Sequence, residues 1–100
     1  MVDVVIIGNG PAGISAALYT KRANLETIVI GKDNGALEKA EKIENYYGIP
    51  GGICGKDLIK LGLKQINDLG VKHINEEVIA INYEKEIFNN CFTINVCWYL

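Results

Sequence analysis

Asp3-Val4-Val5-Ile6-Ile7-Gly8-Asn9-Gly10-Pro11-Ala12-Gly13-Ile14-Ser15-Ala16-Ala17-Leu18-Tyr19 is the stretch that decides the fold of this chain. An apolar, β-branched run predicts a strand near residues 3 to 8, and the small residues beyond the glycines predict a helix from about 11 to 23. Each glycine between them answers a separate physical need. Gly8 permits the sharp strand-to-helix turn, and Gly10 leaves no side chain where a pyrophosphate must approach the backbone. Gly13, with Ala17 one helical turn on, lets the helix lie close against the strands. Unpaired amides and the helix dipole at that end form an anion site with no charged side chain. Pro11 suits the first turn, where no free N–H is needed.

Thr27-Ile28-Val29-Ile30 follows at the distance of a βαβ unit, predicting a strand from about 27 to 31. In a chain with 11 glycines the six-residue pattern alone would suit an ordinary turn, but between these elements it is a dinucleotide-binding fingerprint. Parallel strands joined by crossover helices imply an α/β, Rossmann-like doubly wound sheet. Its crossovers should be right-handed, with ligand bound outside the carboxyl ends of the strands. An NAD site of this type places an acid near the end of the second strand, against the adenosine ribose. Gly31 and Lys32 stand there instead, and Asp33, at the right distance, suits a ribose contact or a turn equally well.

Turn signals at Asp33-Asn34-Gly35 and Gly51-Gly52 flank a short helix expected around Leu37 to Lys42. Long ordered connections of this kind often carry function. Leu58, Leu61, Leu63, Ile66 and Leu69 partly follow a helical period over about 55 to 69, a helix that Gly70 is placed to end. Strands are expected at Val71 to Ile74 and Val78 to Tyr83, then a solvated turn at Glu84-Lys85-Glu86 and an extended segment from about Ile87 onward. The apolar end Phe92-Thr93-Ile94-Asn95-Val96-Cys97-Trp98-Tyr99-Leu100 reads as a truncated, aggregation-prone strand.

A chain of 100 residues, 49% of them hydrophobic, supports one domain or less. Its net charge of -2 without a Lys or Arg cluster gives no footprint for nucleic acid or an anionic membrane. No apolar run has the length of a membrane span or the flanks of a signal peptide, so a cytoplasmic location is expected. Cys54, Cys91 and Cys97 are odd in number and lack C-x-x-C spacing, as suits free, mostly buried thiols.

Ile6-Ile7-Gly8-Asn9-Gly10-Pro11-Ala12-Gly13, with Ala16-Ala17-Leu18-Tyr19 and Arg22-Ala23-Asn24-Leu25, resembles the N-terminus of low-molecular-weight thioredoxin reductases and related flavoproteins. Ile43-Glu44-Asn45-Tyr46-Tyr47-Gly48, then Gly52-Ile53-Cys54-Gly55-Lys56-Asp57-Leu58, is similar to that family's second signature. The likeness covers about residues 2 to 83 and leaves 84 to 100 divergent, so residues 1 to 100 are expected to form a partial FAD-binding domain. The resemblance implies FAD at the glycine turn and electron transfer from NAD(P)H through FAD to a disulfide or related acceptor. By position, Gly8, Asn9, Gly10, Pro11, Ala12 and Gly13 would hold the pyrophosphate, and Gly31 and Lys32 would lie near the adenosine ribose. Asn45 would reach the flavin side and Val78 would border the adenine. The lack of an acid at Gly31 is shared with bacterial thioredoxin reductases.

Two departures stand out. Asn34-Gly35-Ala36-Leu37 replaces the family's Gly-Gly-Gln-Leu, removing a glutamine-type contact beneath the flavin, and Tyr47 replaces a proline in the second signature. No second glycine-rich motif and no C-x-x-C occur in residues 1 to 100, so NAD(P)H is expected to bind only through a missing domain and the chain alone to be inactive. A partner subunit or a homodimer would complete it. The only histidine, His73, is expected to be structural, Asp57 to compensate a helix dipole, and Tyr46 and Tyr47 either to line a flavin pocket or to enter the core. Two further readings remain: a non-catalytic NAD(P)-binding module that uses Asp33, and an inactive truncated remnant.

Overall fold

Val4–Ile7 (β1), Pro11–Arg22 (α1) and Thr27–Ile30 (β2) form the expected βαβ unit, and a 3-10 turn at Ala36–Lys39 leads on toward the second helix, Gly55–Asp68 (α2). Lys72–Ile74 (β3) and an antiparallel pair, Val78–Lys85 (β4) with Phe92–Trp98 (β5), complete the order. The structure is a computed structural model that describes residues 2–32, 35–85 and 92–98. β2 is central, with β1 and β3 parallel on either side.

The three residue types of α1 explain its place. Ile14 and Ala17 are buried, small residues lie between them, and Lys21 and Arg22 in the last turn complement the helix dipole. Asn24 ends the helix in the left-handed region, φ 62, which asparagine tolerates better than other non-glycine residues. Thr27, buried at the start of β2, bonds to the Thr20 hydroxyl at 2.8 Å and donates to the Leu25 carbonyl at 3.1 Å, which ties the end of α1 to the sheet.

Both helices pack on one face of the sheet. Ile14, Ala17, Val29, Ile66 and Val71 form the buried cluster, with Ile6, Leu18 and Leu63 packed against it. Gly62 lets the helices meet, since a Cβ there would lie 3.1 Å from the Ile14 side chain. Ile66 is the largest fully buried side chain of that cluster. Ile66→Ala should destabilise the chain by about 2–5 kcal/mol, visible as a lower urea midpoint with little change in m-value. An unchanged midpoint would show that this cluster is not the core.

The opposite face is less covered: Val5 and Ile7 are 41% and 45% exposed, and β1 pairs with no strand but β2 among the described residues. Half a doubly wound sheet looks like this, because the crossovers from β1 to β2 and from β2 to β3 step in one direction and leave their helices on one side.

Several boundaries differ from the sequence-based expectation. The short helix at 37–42 is a single 3-10 turn, and the apolar face of α2 centres on Ile59 and Ile66 while Leu61 and Leu69 are exposed. Glu84 and Lys85 are not a turn: they extend β4 opposite Thr93 and Phe92, because pairing with β5 carries the strand past the apolar run. Glu86 lies outside the described residues. No described helix is long and apolar enough to cross a membrane.

Candidate functional site

The carboxyl ends of β1, β2 and β3 meet at one edge. Gly8 donates to the Ile30 carbonyl at 2.8 Å and Gly31 donates to the Ile74 carbonyl at 3.0 Å, so the three chains leave the sheet side by side. Between them opens a cleft of about 620 Å³ lined by Ile7, Gly8, Asn9, Gly10, Gly31, Lys32, Gly35 and Glu76 to Val78, among others. That volume is in the range of a small-molecule site.

The glycines of the turn are required for different reasons. Gly8 has φ 114, a conformation open to glycine. At Gly13 a Cβ would overlap the Gly8 carbonyl oxygen and come within 3.3 Å of Ile6, so the helix could not seat on β1. Gly10 is the N-cap of α1 with φ -76, which any residue adopts, and a Cβ there would meet no protein atom within 4 Å. Nothing in the protein demands glycine at position 10. No side chain caps α1 and its first turn holds no acid, so no side chain satisfies its N-cap and Gly10 at that end lines the cleft.

Asn9 is the unexpected member. Only 3% exposed, its side-chain amide lies 3.4 Å from the Gly31 carbonyl and 3.3 Å from His73 Nε2. Donating to both requires His73 to carry its proton on Nδ1. What Asn9 can offer a ligand is therefore its backbone. His73, on β3, meets the glycine turn through this contact with Asn9. Asn9 also explains Gly31, where a Cβ would lie 2.8 Å from the backbone and side-chain atoms of Asn9. An acid cannot stand at the end of β2 in this turn.

Of the residues singled out from sequence, Gly8, Asn9, Gly10, Gly31, Lys32 and Val78 line the one cleft. Pro11 lines a neighbouring apolar groove of about 170 Å³ with Leu18, Leu37, Tyr46, Ile49 and Leu58. Ala12 is exposed beside it, and Asn45 is exposed and borders neither the cleft nor the groove. Tyr47 is 99% exposed and Tyr46 about half exposed, so neither is core: the segment is held by the Ile43 and Ile53 pairing, Tyr46 lines the groove and Tyr47 lies in solvent. Cys54 is a free, half-buried thiol preceding α2. Cys91 and Asp33 lie outside the described residues, and Cys97 is described only by its place in β5. Among the described residues no cluster of His, Cys, Asp and Glu could hold a metal. The residue that sequence reasoning passed over is Glu76, at the same edge as Gly31 and Lys32.

The model of the pyridine nucleotide-disulphide oxidoreductases matches residues 2–91. The chain belongs to that family. Thioredoxin reductase of Aquifex aeolicus is 42% identical over 86 residues, covering 84% of this chain and 27% of that protein. That of Streptomyces coelicolor is 39% identical over 88 residues, covering 85% of this chain and 27% of that protein. Among solved structures, an atypical thioredoxin reductase from Desulfovibrio vulgaris Hildenborough superposes with a TM-score of 0.79 at 32% identity, covering 96% of this chain and 31% of that one. The fold is thus the Rossmann-like one of this family, and the chain spans about a quarter of the length of the curated relatives it matches.

Proposed function

We propose that this chain is the FAD-binding portion of a thioredoxin-reductase-like flavoprotein, with its pyrophosphate site at the turn from Gly8 to Gly13. One observation carries the reading: Gly10 stands at an uncapped helix N-terminus, in open space, where the protein itself has no need of glycine. Thioredoxin reductases among the relatives support FAD over other dinucleotides. Gly8 and Gly13 shape the turn, the first-turn amides hold the phosphates, and Gly31, Lys32 and Val78 border the adenosine end. Asn45, outside the cleft, is assigned to the flavin side only by its place in the second signature. Bound FAD would supply a two-electron redox centre.

In the whole protein we propose electron transfer from NAD(P)H through FAD to a disulfide or related acceptor, with NAD(P)H bound outside residues 1 to 100, and a cytoplasmic setting in which Cys54 stays reduced. The open edge of β1 and the exposed Val5 and Ile7 favour further polypeptide there, either a partner subunit or a second copy.

The test is titration of the purified chain with FAD, followed by flavin fluorescence and circular dichroism. Saturable quenching is expected. A folded chain that leaves the fluorescence unchanged would sink the proposal, and displacement of FAD by stoichiometric NADH would favour an NAD(P)-binding module instead. NAD(P)H oxidation by the loaded chain should not exceed that of free flavin, since residues 1 to 100 hold one glycine-rich turn and no C-x-x-C pair.

A further inference from the structure

We infer that Glu76 supplies the carboxylate that the end of β2 lacks and accepts hydrogen bonds from the adenosine ribose hydroxyls, an inference that rests on the nucleotide site proposed above. The usual position for that acid is closed. Any side chain at Gly31 would collide with Asn9, and Asn9 cannot move aside while its amide is held between the Gly31 carbonyl and His73.

The next strand end takes over the position. β3 runs parallel to β2, and Gly31 donates to the Ile74 carbonyl at 3.0 Å, so the residues after Ile74 emerge beside Gly31 at the same edge. Glu76 lines the cleft there together with Gly31 and Lys32. Its Oε2 is buried and accepts no hydrogen bond. An unsatisfied buried oxygen is unfavourable by itself, so such groups in native proteins call for an explanation. A hydroxyl donor arriving through the cleft provides one. The terminal torsion of glutamate is broad, so the carboxylate can reorient to meet a donor without moving the backbone. Adjacent Glu77 is exposed and already solvated, and gains nothing comparable from a donor. Across the cleft the order is then glycine turn for the pyrophosphate, Glu76 for the ribose and Val78 beyond it.

The experiment compares wild type, Glu76→Gln and Glu76→Leu in titrations with ADP and with 2′,3′-dideoxy-ADP, together with thermal melting of the ligand-free chains. Wild type should bind ADP about tenfold more tightly than the dideoxy compound. Glu76→Leu should bring that ratio to about one through loss of ADP affinity alone, with Glu76→Gln in between. The same Leu substitution should raise the ligand-free Tm by about 5 °C, because it removes an orphaned polar atom, an effect that a structural glutamate would not produce. A ratio that survives in either variant, or a lower Tm with ADP affinity intact, overturns the role of Glu76. Should Glu76→Leu fail to fold, the near-isosteric Gln variant decides on its ratio. Wild type that binds neither FAD nor ADP would instead remove the nucleotide site itself, and this inference with it.

Discussion

Gly10→Val should weaken FAD binding at least about 100-fold while leaving the ligand-free chain folded. The affinity loss follows from the proposed site: a valine at the N-cap projects into the open space where the pyrophosphate would meet the first-turn amides of α1. Each charge-assisted bond lost there is worth roughly 1.5–3 kcal/mol, and two of them account for a hundredfold change. The folded state has little reason to object. Gly10 has φ -76, and its Cβ would meet nothing within 4 Å, so the penalty is that of a poorer N-cap, about 1 kcal/mol or less. Fluorescence titration and a circular dichroism melt on the same sample separate the two effects. Equal FAD affinity in the variant would mean that the phosphates lie elsewhere.

Gly13→Ala should do the reverse and act on the fold first. The added Cβ runs into the carbonyl of Gly8, a backbone atom that cannot swing aside, and also crowds Ile6. Relief requires α1 to lift from β1, which uncovers Ile14 and Ala17 in a core with few other members. A loss of about 3 kcal/mol is expected, and Tm should fall by about 12–24 °C. In a domain of this size such a loss takes a large share of the total stability. A melt within 2 °C or so of wild type would show that the helix does not sit on the strand as described. Positions 10 and 13 are three residues apart and both glycine, yet a Cβ at 13 would collide with the Gly8 carbonyl and one at 10 would meet no protein atom within 4 Å.

Much of this was legible in the sequence, for a definable reason. The strand from Val4, the helix from Pro11 and the strand from Thr27 depend on periodicity and turn chemistry within 31 residues, where neighbours in sequence are neighbours in space. Gly8 and Gly13 could be read the same way, because a tight turn and a close helix impose their demands locally. The differences have two causes. The 3-10 turn at Ala36–Lys39 has too few residues for a period, and the extension of β4 to Lys85 was decided by β5, not by its own polar residues.

By itself, then, the sequence determined the βαβ unit and the glycine turn, since spacing encodes them, and the family, through the likeness of two separated motifs. Only the tertiary structure decided how the turn is held and which acid stands beside it. Asn9 and His73 are 64 residues apart and meet only because β3 falls in beside β2, and it is Asn9, backbone and side chain together, that bars a side chain from Gly31. The same strand order brings Glu76 to the cleft edge, with a buried oxygen left unpaired. No local pattern records such a juxtaposition of strand ends, because it arises from sheet register, and register joins residues that the chain keeps far apart.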